Sequence, residues 1–591
     1  MTRHAYNLGV IGNCAYMALI DKKACVQWMC WPRFDSSFIF GGILDNKKGG
    51  KFSITPSIEN FNTKQYYIEN TNVLSTEFES GDGKFVVTDF APRFVQYDRI
   101  YKPLMLIRKI EPISGIPRVR ITCKPVGNYG EIIPEEYQGS SHIRYHGLIS
   151  QVRLSTNVPL SFILENEEIA LHETKYLILT WGIPLESSIE DTAEEFLKKT
   201  IKYWRDWVRN TSIGTFYQSE VIRSALVLKI HQFEDTGAIV ASGTTSLPEY
   251  PDSGRNWDYR YCWIRDSYYA LTAFNNIGHF QELEKYFQFV INVTKTQTER
   301  YQPLYSITGG LKITENILPL EGYMGNKPVR IGNAAYTQPQ NDVYGQVLLS
   351  LLPLYTDKRL IDEQRSESLK LVNDCLKIMQ KNFDEPDAGL WEFRLGRRLH
   401  CYTYLFHWAG CAAVLKIANV IKKDSQMVEV AKKLMLNASK MIEACYDKKR
   451  GVYTGAVGTS DLDASTLQLI TMNYLNPKSE KAIQHLAVLE SELKTKDGLI
   501  YRYKHQDDFG IPKTTFLICA FWYVEALAAV GRLEDAIEVF GNLMKYSNHL
   551  GLFSEHVEES SGSQWGNFPQ TYSHVGLVNA AYRISKNLDS F

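Results

Sequence analysis

From Gly214 to the C-terminus the apolar residues recur at helical spacing, in segments of two alternating kinds. Helix-like stretches fall near 219–233, 265–277, 281–297, 341–355, 366–383, 403–421, 425–446, 463–475, 479–494, 515–530, 534–546 and 571–585. The odd members read as amphipathic, as in Leu369–Met379, and the even members as apolar nearly all round, as in Phe516–Val524. A helix without a polar face must be buried on every side, so the even members predict an inner ring and the odd ones an outer ring. Inner-to-outer links are short, such as Asn276–Gly278 and Val530–Arg532. Outer-to-inner links are long, and alternation puts all of them at one end. Long loops in a compact domain usually carry function. The pattern therefore predicts a closed double ring of helices whose crater is built from loops.

Ahead of this lies a β-textured third. Short runs such as Phe85–Phe90 and Met105–Ile110 are separated by turn residues, and Ser80-Gly81-Asp82-Gly83 reads as a hairpin turn. Tyr176–Trp181 is apolar enough for a strand covered on both faces. An antiparallel β-sandwich is expected over residues 1–185, serving as a buttress more than as a carbohydrate-binding module. Ile189–Thr200 starts acidic and ends basic, as a helix dipole favours, so 186–214 is read as a linker helix and 215–591 as the helical domain. The aromatic loop Trp28–Ser36 is expensive to leave in water and is expected to dock onto the helical domain, as a plug or as part of a pocket.

Lys and Arg number 65 against 66 Asp and Glu, which gives no electrostatic case for nucleic acid or an anionic membrane. No run approaches about 18 apolar residues, so no membrane span is expected. The N-terminus shows no signal-peptide pattern. The ten cysteines form neither CxxC pairs nor zinc-spaced clusters, which predicts reduced core thiols, a cytoplasmic protein and no metal.

Chemistry concentrates in the crater loops. Asp387–Arg394 contains Trp391-Glu392, where an indole next to a carboxyl can hold it neutral and make it a proton donor to a glycosidic oxygen. Gly254–Asp266 brings Tyr259 and Trp263 together with Arg265 and Asp266, a cation beside an acid that suits vicinal hydroxyls. Pro328–Asp342 is rich in amides and carries Arg330; Asp342 is read as a helix-start residue. Arg502 lies between two tyrosines. Gly455–Asp463 is given no chemistry. Glu555 is a second carboxylate at the same end of the ring. Two carboxyls about 6.5–9.5 Å apart leave room for a water, so Glu392 as acid and Glu555 as base would hydrolyse with inversion.

These residues carry a close resemblance. Cys30–Ser36, Asn256–Asp266, Gly389–Glu392 and Gly566–Gln570 with Ser573-His574 resemble, in order and along nearly the whole chain, glycoside hydrolase family 15, which includes glucoamylases and bacterial trehalases. The resemblance implies an N-terminal β-sandwich, an (α/α)6 barrel and an inverting mechanism that releases β-glucose. It implies Glu392 as general acid, Glu555 as general base, Arg265 and Asp266 as the grip on the terminal glucose, and Trp391 and Arg502 as pocket walls. Phe393, Lys513-Thr514 and Tyr402–Trp408 depart from family patterns, all where the leaving sugar would be recognised.

The function expected first is an exo-acting α-glucosidase on α-glucans or maltooligosaccharides, and second a trehalase. A disaccharide phosphorylase would not need Glu555, and a sugar-binding protein without activity would need neither carboxylate. The expected partner is an α-glucoside or small oligosaccharide, with no cofactor.

Overall fold

A computed structural model describes residues 3–360, 365–421 and 425–589. The N-terminal part is built from antiparallel strands. In one eight-stranded sheet the spatial order is 135–138, 142–146, 152–156, 175–181, 105–115, 83–90, 74–80 and 61–67. Facing it are a three-stranded sheet (168–170, 118–124, 51–56) and a four-stranded sheet over 8–40. Leu74, Phe78, Val87, Leu106, Leu154 and Leu179 of the large sheet share one core with Ile20, Phe40, Phe52 and Ile121 of the others. The hairpin turn over Ser80–Gly83 forms as its residues predict.

Residues along a strand alternate between faces, so the second face of the large sheet needs its own cover. Val73, Phe90, Ile107, Tyr176 and Ile178 supply that face, and the helix Ile189–Arg209 covers it through Ala193, Phe196 and Ile201. Tyr176–Trp181 is thus enclosed on both sides. Ser188 caps the helix, its hydroxyl accepting from the Asp191 amide.

The loop 28–36 docks onto the helical part. Trp28 packs in the helical core and donates its indole N–H to the Gly243 carbonyl at 2.7 Å, while Trp31 packs in the sandwich core. Arg260 is fully buried. It pairs with Asp258 at 2.7 Å and donates to the Ser36 carbonyl at 2.6 Å. The loop is a structural plug that braces the chain on either side of Tyr259, and it contributes no wall to the pocket described below.

The inner ring consists of Ile264–Asn276, Val343–Thr356, Cys401–Ile421, Ala464–Thr471, Leu517–Val530 and Thr571–Leu588. Each neighbours the next, and Thr571–Leu588 closes the ring onto Ile264–Asn276. Val343–Thr356 and Cys401–Ile421 cross at two glycines. A Cβ on Gly345 would lie 2.1 Å from the Phe406 carbonyl oxygen, and one on Gly410 would lie 2.7 Å from Gly345 Cα. The outer helices are Gln218–His231, Phe280–Thr294, Arg365–Lys381, Ser425–Glu443, Glu480–Leu493 and Leu533–Met544.

Three expectations need correction. Gln218–His231 is outer by order, yet residues 224–231 are all buried, because the sandwich covers its outward side. The expected helix 463–475 is only a 3-10 turn, Ala464–Leu467, followed by Gln468–Thr471. Cys401–Ile421, at 21 residues, is long and apolar enough to cross a bilayer by length and composition. Here those apolar sides are spent on packing between Val343–Thr356 and Ser425–Glu443. All ten cysteines are unpaired, nine buried and Cys25 half-buried.

Candidate active site

The long loops converge at one end of the ring around an open-mouthed pocket of ≈ 790 Å³, counting the space at its mouth. Its lining comes from stretches 241–266, 333–338, 390–394, 502–516 and 555–572. Glu392 and Glu555 both face it, with Tyr259, Trp263, Asp266, Trp391 and Arg502.

Glu392 ends the turn Gly389–Glu392, closed by the Glu392 amide on the Gly389 carbonyl at 3.1 Å. Its own φ is +61°, a left-handed conformation that an L-residue adopts only under constraint. Three donors meet its Oε1: the Trp263 indole N–H at 2.6 Å, the Gln340 amide at 3.3 Å and Arg265 Nη2 at 3.4 Å. Its side chain is 22% exposed, open to the pocket.

Trp391 does not hold this carboxyl. Its indole N–H reaches Asp463 Oδ2 at 2.8 Å, and its ring lies against Phe516 and Trp522. The left-handed residue sends the neighbouring side chains apart, so the indole on Glu392 is that of Trp263. Asp463, from the loop given no chemistry, is therefore a brace behind the Trp391 wall. Burial pushes its carboxyl up to about 6.

Glu555 precedes the two-residue strand His556–Val557, which lies between Thr515–Phe516 and Gln564–Trp565. It is buried, and its Oε1 accepts from the Tyr259 hydroxyl at 2.7 Å. Burial, and then the nearby Glu249 carboxylate, hold its carboxyl well above the usual range, against the Tyr259 hydrogen bond.

Asp266 lines the pocket floor, 3.6 Å from Arg265 Nε; burial raises its carboxyl to about 6. Arg265 lies just behind, donating to Gln340 and Glu392, so it orients the acid turn from beneath. Arg502 lines the wall and is held by Glu249 at 2.9 Å.

Arg330 does not reach the pocket. Its Nη1 donates to the carbonyls of Gly254 and Asn256, its Nε lies 3.4 Å from Glu315, and its guanidinium stacks over Trp257 at 4.7 Å. A cation in an amide-rich loop was drawn to unsatisfied carbonyls instead of to a ligand. Asp342 begins Val343–Thr356 as expected but caps no backbone amide; its Oδ2 accepts from the Gln346 side chain at 2.6 Å.

Several pocket residues had no sequence signal. Glu249 lies in Leu247-Pro248-Glu249-Tyr250, with nothing to mark it as buried. The rim is polar and self-paired. Arg255 bonds Asp507, Arg394 grips Glu315 at 2.8 Å, and Arg394 stacks on Trp257 at 4.4 Å. The charges were visible in sequence; their pairing across loops was not. Among the described residues no three His, Cys, Asp or Glu side chains group as metal ligands would.

The chain is similar to known proteins along most of its length. Residues 215–582 match the family described as glycosyl hydrolases family 15, and residues 4–156 match one described as trehalase-like, N-terminal. The trehalase of Thermoplasma volcanium is 32% identical over 98% of this chain and 93% of its own length. Trehalase 1 of Sulfolobus acidocaldarius is 31% identical over 98% of each. The trehalase of Mycolicibacterium smegmatis is 30% identical over 98% of this chain and 90% of its own. In fold, a bacterial glucoamylase solved in complex with acarbose matches with a TM-score of 0.68 at 16% identity, over 99% of this chain and 95% of that one.

Proposed function

Because the chain belongs to glycosyl hydrolases family 15 and is a glycoside hydrolase, we propose that its substrate is α,α-trehalose, cleaved with inversion into two glucose molecules. Sequence alone ranked glucan ends first and trehalose second. The relatives reverse that order, since those 30% or more identical along nearly the full length of this chain are trehalases. That likeness, at 30% identity or more along the chain, is the observation that carries the choice of trehalose.

The chemistry follows from the two carboxyls. One glucose sits on the pocket floor at Asp266, its anomeric carbon between Glu392 and Glu555. Glu392 gives a proton to the bridging oxygen while the bond from that oxygen to the anomeric carbon breaks. A water attacks the opposite face, and Glu555 takes its proton. Tyr259 holds the base and Trp263 the acid, so neither has to be ordered as charge develops. One glucose leaves as the β-anomer, and the other keeps the α-configuration it had in trehalose.

Glucose release from trehalose, maltose, maltotriose and isomaltose tests the substrate. Turnover of trehalose far above the others is expected. Turnover of maltotriose with none of trehalose would restore the glucan assignment, and glucose 1-phosphate formed only with phosphate would replace hydrolysis by phosphorolysis. Proton NMR of fresh digests should show α- and β-glucose in equal amounts; all-α product would exclude inversion.

A further inference from the structure

The acid turn is well held on one side of Glu392 and bare on the other. Ahead of it Ala388 and Leu390 are buried, and the Asp387 carboxyl accepts the Gly389 amide at 3.0 Å. The Phe393 amide returns to the Ala388 carbonyl at 3.1 Å, and the Gln338 side chain donates to the Glu392 carbonyl at 3.2 Å. Beyond Phe393 the chain runs out into solvent. Residues 394–398 are exposed, Leu395 by 88%, so no apolar burial fixes them. Yet this stretch follows closely on a left-handed residue, a conformation that persists only where its surroundings over-determine it.

The remaining constraint comes from the loop across the pocket mouth. Asp508 Oδ2 accepts both the Arg394 and the Leu395 backbone amides, the second at 3.2 Å. Neither amide has another partner among the described residues. A carboxylate on two successive backbone N–H groups makes charge-assisted contacts, stronger than neutral ones. The Asp508 loop is itself stiffened by its neighbour. Asp507 accepts from the Phe509 amide at 2.8 Å and binds Arg255 and the Tyr503 hydroxyl. Phe393 lies between the two loops, its ring centroid 5.7 Å from that of Tyr503. The Arg394 guanidinium does not compete for Asp508, because Glu315 holds it.

We propose that Asp508 is a positioning residue for the general acid. By clasping the two amides that follow Phe393 it fixes the strained turn, and with it the direction in which Glu392 presents its carboxyl. It acts through the main chain and need not touch the sugar. The consequence falls on one half of the reaction. A group misplaced by about 1 Å can lose about 100-fold in rate, but here only where its proton is needed. Loosening the clasp should therefore impair protonation of the bridging oxygen. The attack of water, which depends on Glu555 in a different loop, should be spared.

This rests on Glu392 being the acid, and the test separates the two ideas. Asp508→Ala removes the acceptor; Asp508→Asn keeps an oxygen there. Trehalose and α-glucosyl fluoride are the two substrates, because fluoride departs with little need of a proton. With Asp508→Ala, kcat on trehalose is expected to fall about 10- to 100-fold with KM within about twofold. On α-glucosyl fluoride kcat should stay within about twofold of wild type. Asp508→Asn should recover most of the loss on trehalose, since an amide oxygen still accepts from N–H groups. An equal fall on both substrates, no recovery by Asp508→Asn, a rise in KM for trehalose at unchanged kcat, or wild-type kinetics would each overturn the role of Asp508 and leave the acid assignment standing. A Glu392→Gln variant that α-glucosyl fluoride does not rescue would overturn both.

Discussion

Tyr259 and Trp263 stand edge to face, ring centroids 5.5 Å apart, and each donates a hydrogen bond to a different pocket carboxylate. One five-residue stretch therefore holds both Glu392, from the 382–400 loop, and Glu555, from the 545–570 loop. Tyr259 is braced in turn by the buried Arg260–Asp258 pair and, through Ser36, by the N-terminal sandwich. The β-domain thus braces the stretch around Tyr259 without lining the pocket.

If this bridge holds the acid and the base, removing its donors should slow chemistry more than binding. Trp263→Phe and Tyr259→Phe keep a ring and lose one charge-assisted hydrogen bond each, which is worth about 1.5–3 kcal/mol. A drop in kcat of about 10-fold or more, with KM for trehalose little changed, is expected in steady-state assays. A rise in KM alone would place these rings in substrate binding instead.

The two carboxyls should respond differently to the leaving group. Glu392→Gln and Glu555→Gln should each lose at least about 100-fold in kcat on trehalose. On α-glucosyl fluoride, Glu392→Gln should recover much of its rate, since fluoride needs little protonation, while Glu555→Gln should not. The opposite pattern would exchange the roles of acid and base.

Arg330 ties loops together behind Trp257 and does not line the pocket. Arg330→Ala should lower the thermal midpoint, by loss of hydrogen bonds worth about 1–3 kcal/mol. KM for trehalose should stay within about twofold. A large KM increase with unchanged thermal stability would return Arg330 to the binding site.

Asp342 should make stability depend on pH. Burial raises its folded-state pKa to about 7, above the ordinary carboxyl value near 3.9. A group raised in this way stabilises the fold most fully below its unfolded pKa, and that contribution is lost as pH rises through the folded pKa. The midpoint of Asp342→Asn relative to wild type should therefore climb between pH 4 and about 7, then level off. Parallel curves for the two proteins would show that Asp342 does not titrate in that window.

By itself the sequence determined the change from β to α, the two kinds of helix, and the gathering of long loops at one end. These are recorded as period 2, period 3.6 and apolar completeness, each readable within a dozen residues. It also marked Glu392, Glu555, Asp266, Trp391 and Arg502, which line one pocket. Tertiary structure alone decided which indole holds Glu392, because a left-handed φ at that residue turns Trp391 toward Asp463. Tertiary structure also drew Arg330 away to backbone carbonyls and brought Glu249 and His556 against Glu555. The physical reason is one of range. Hydrophobic period is written into neighbouring residues, whereas the partner of a buried charge is chosen among groups hundreds of positions away, by which of them lose their water together.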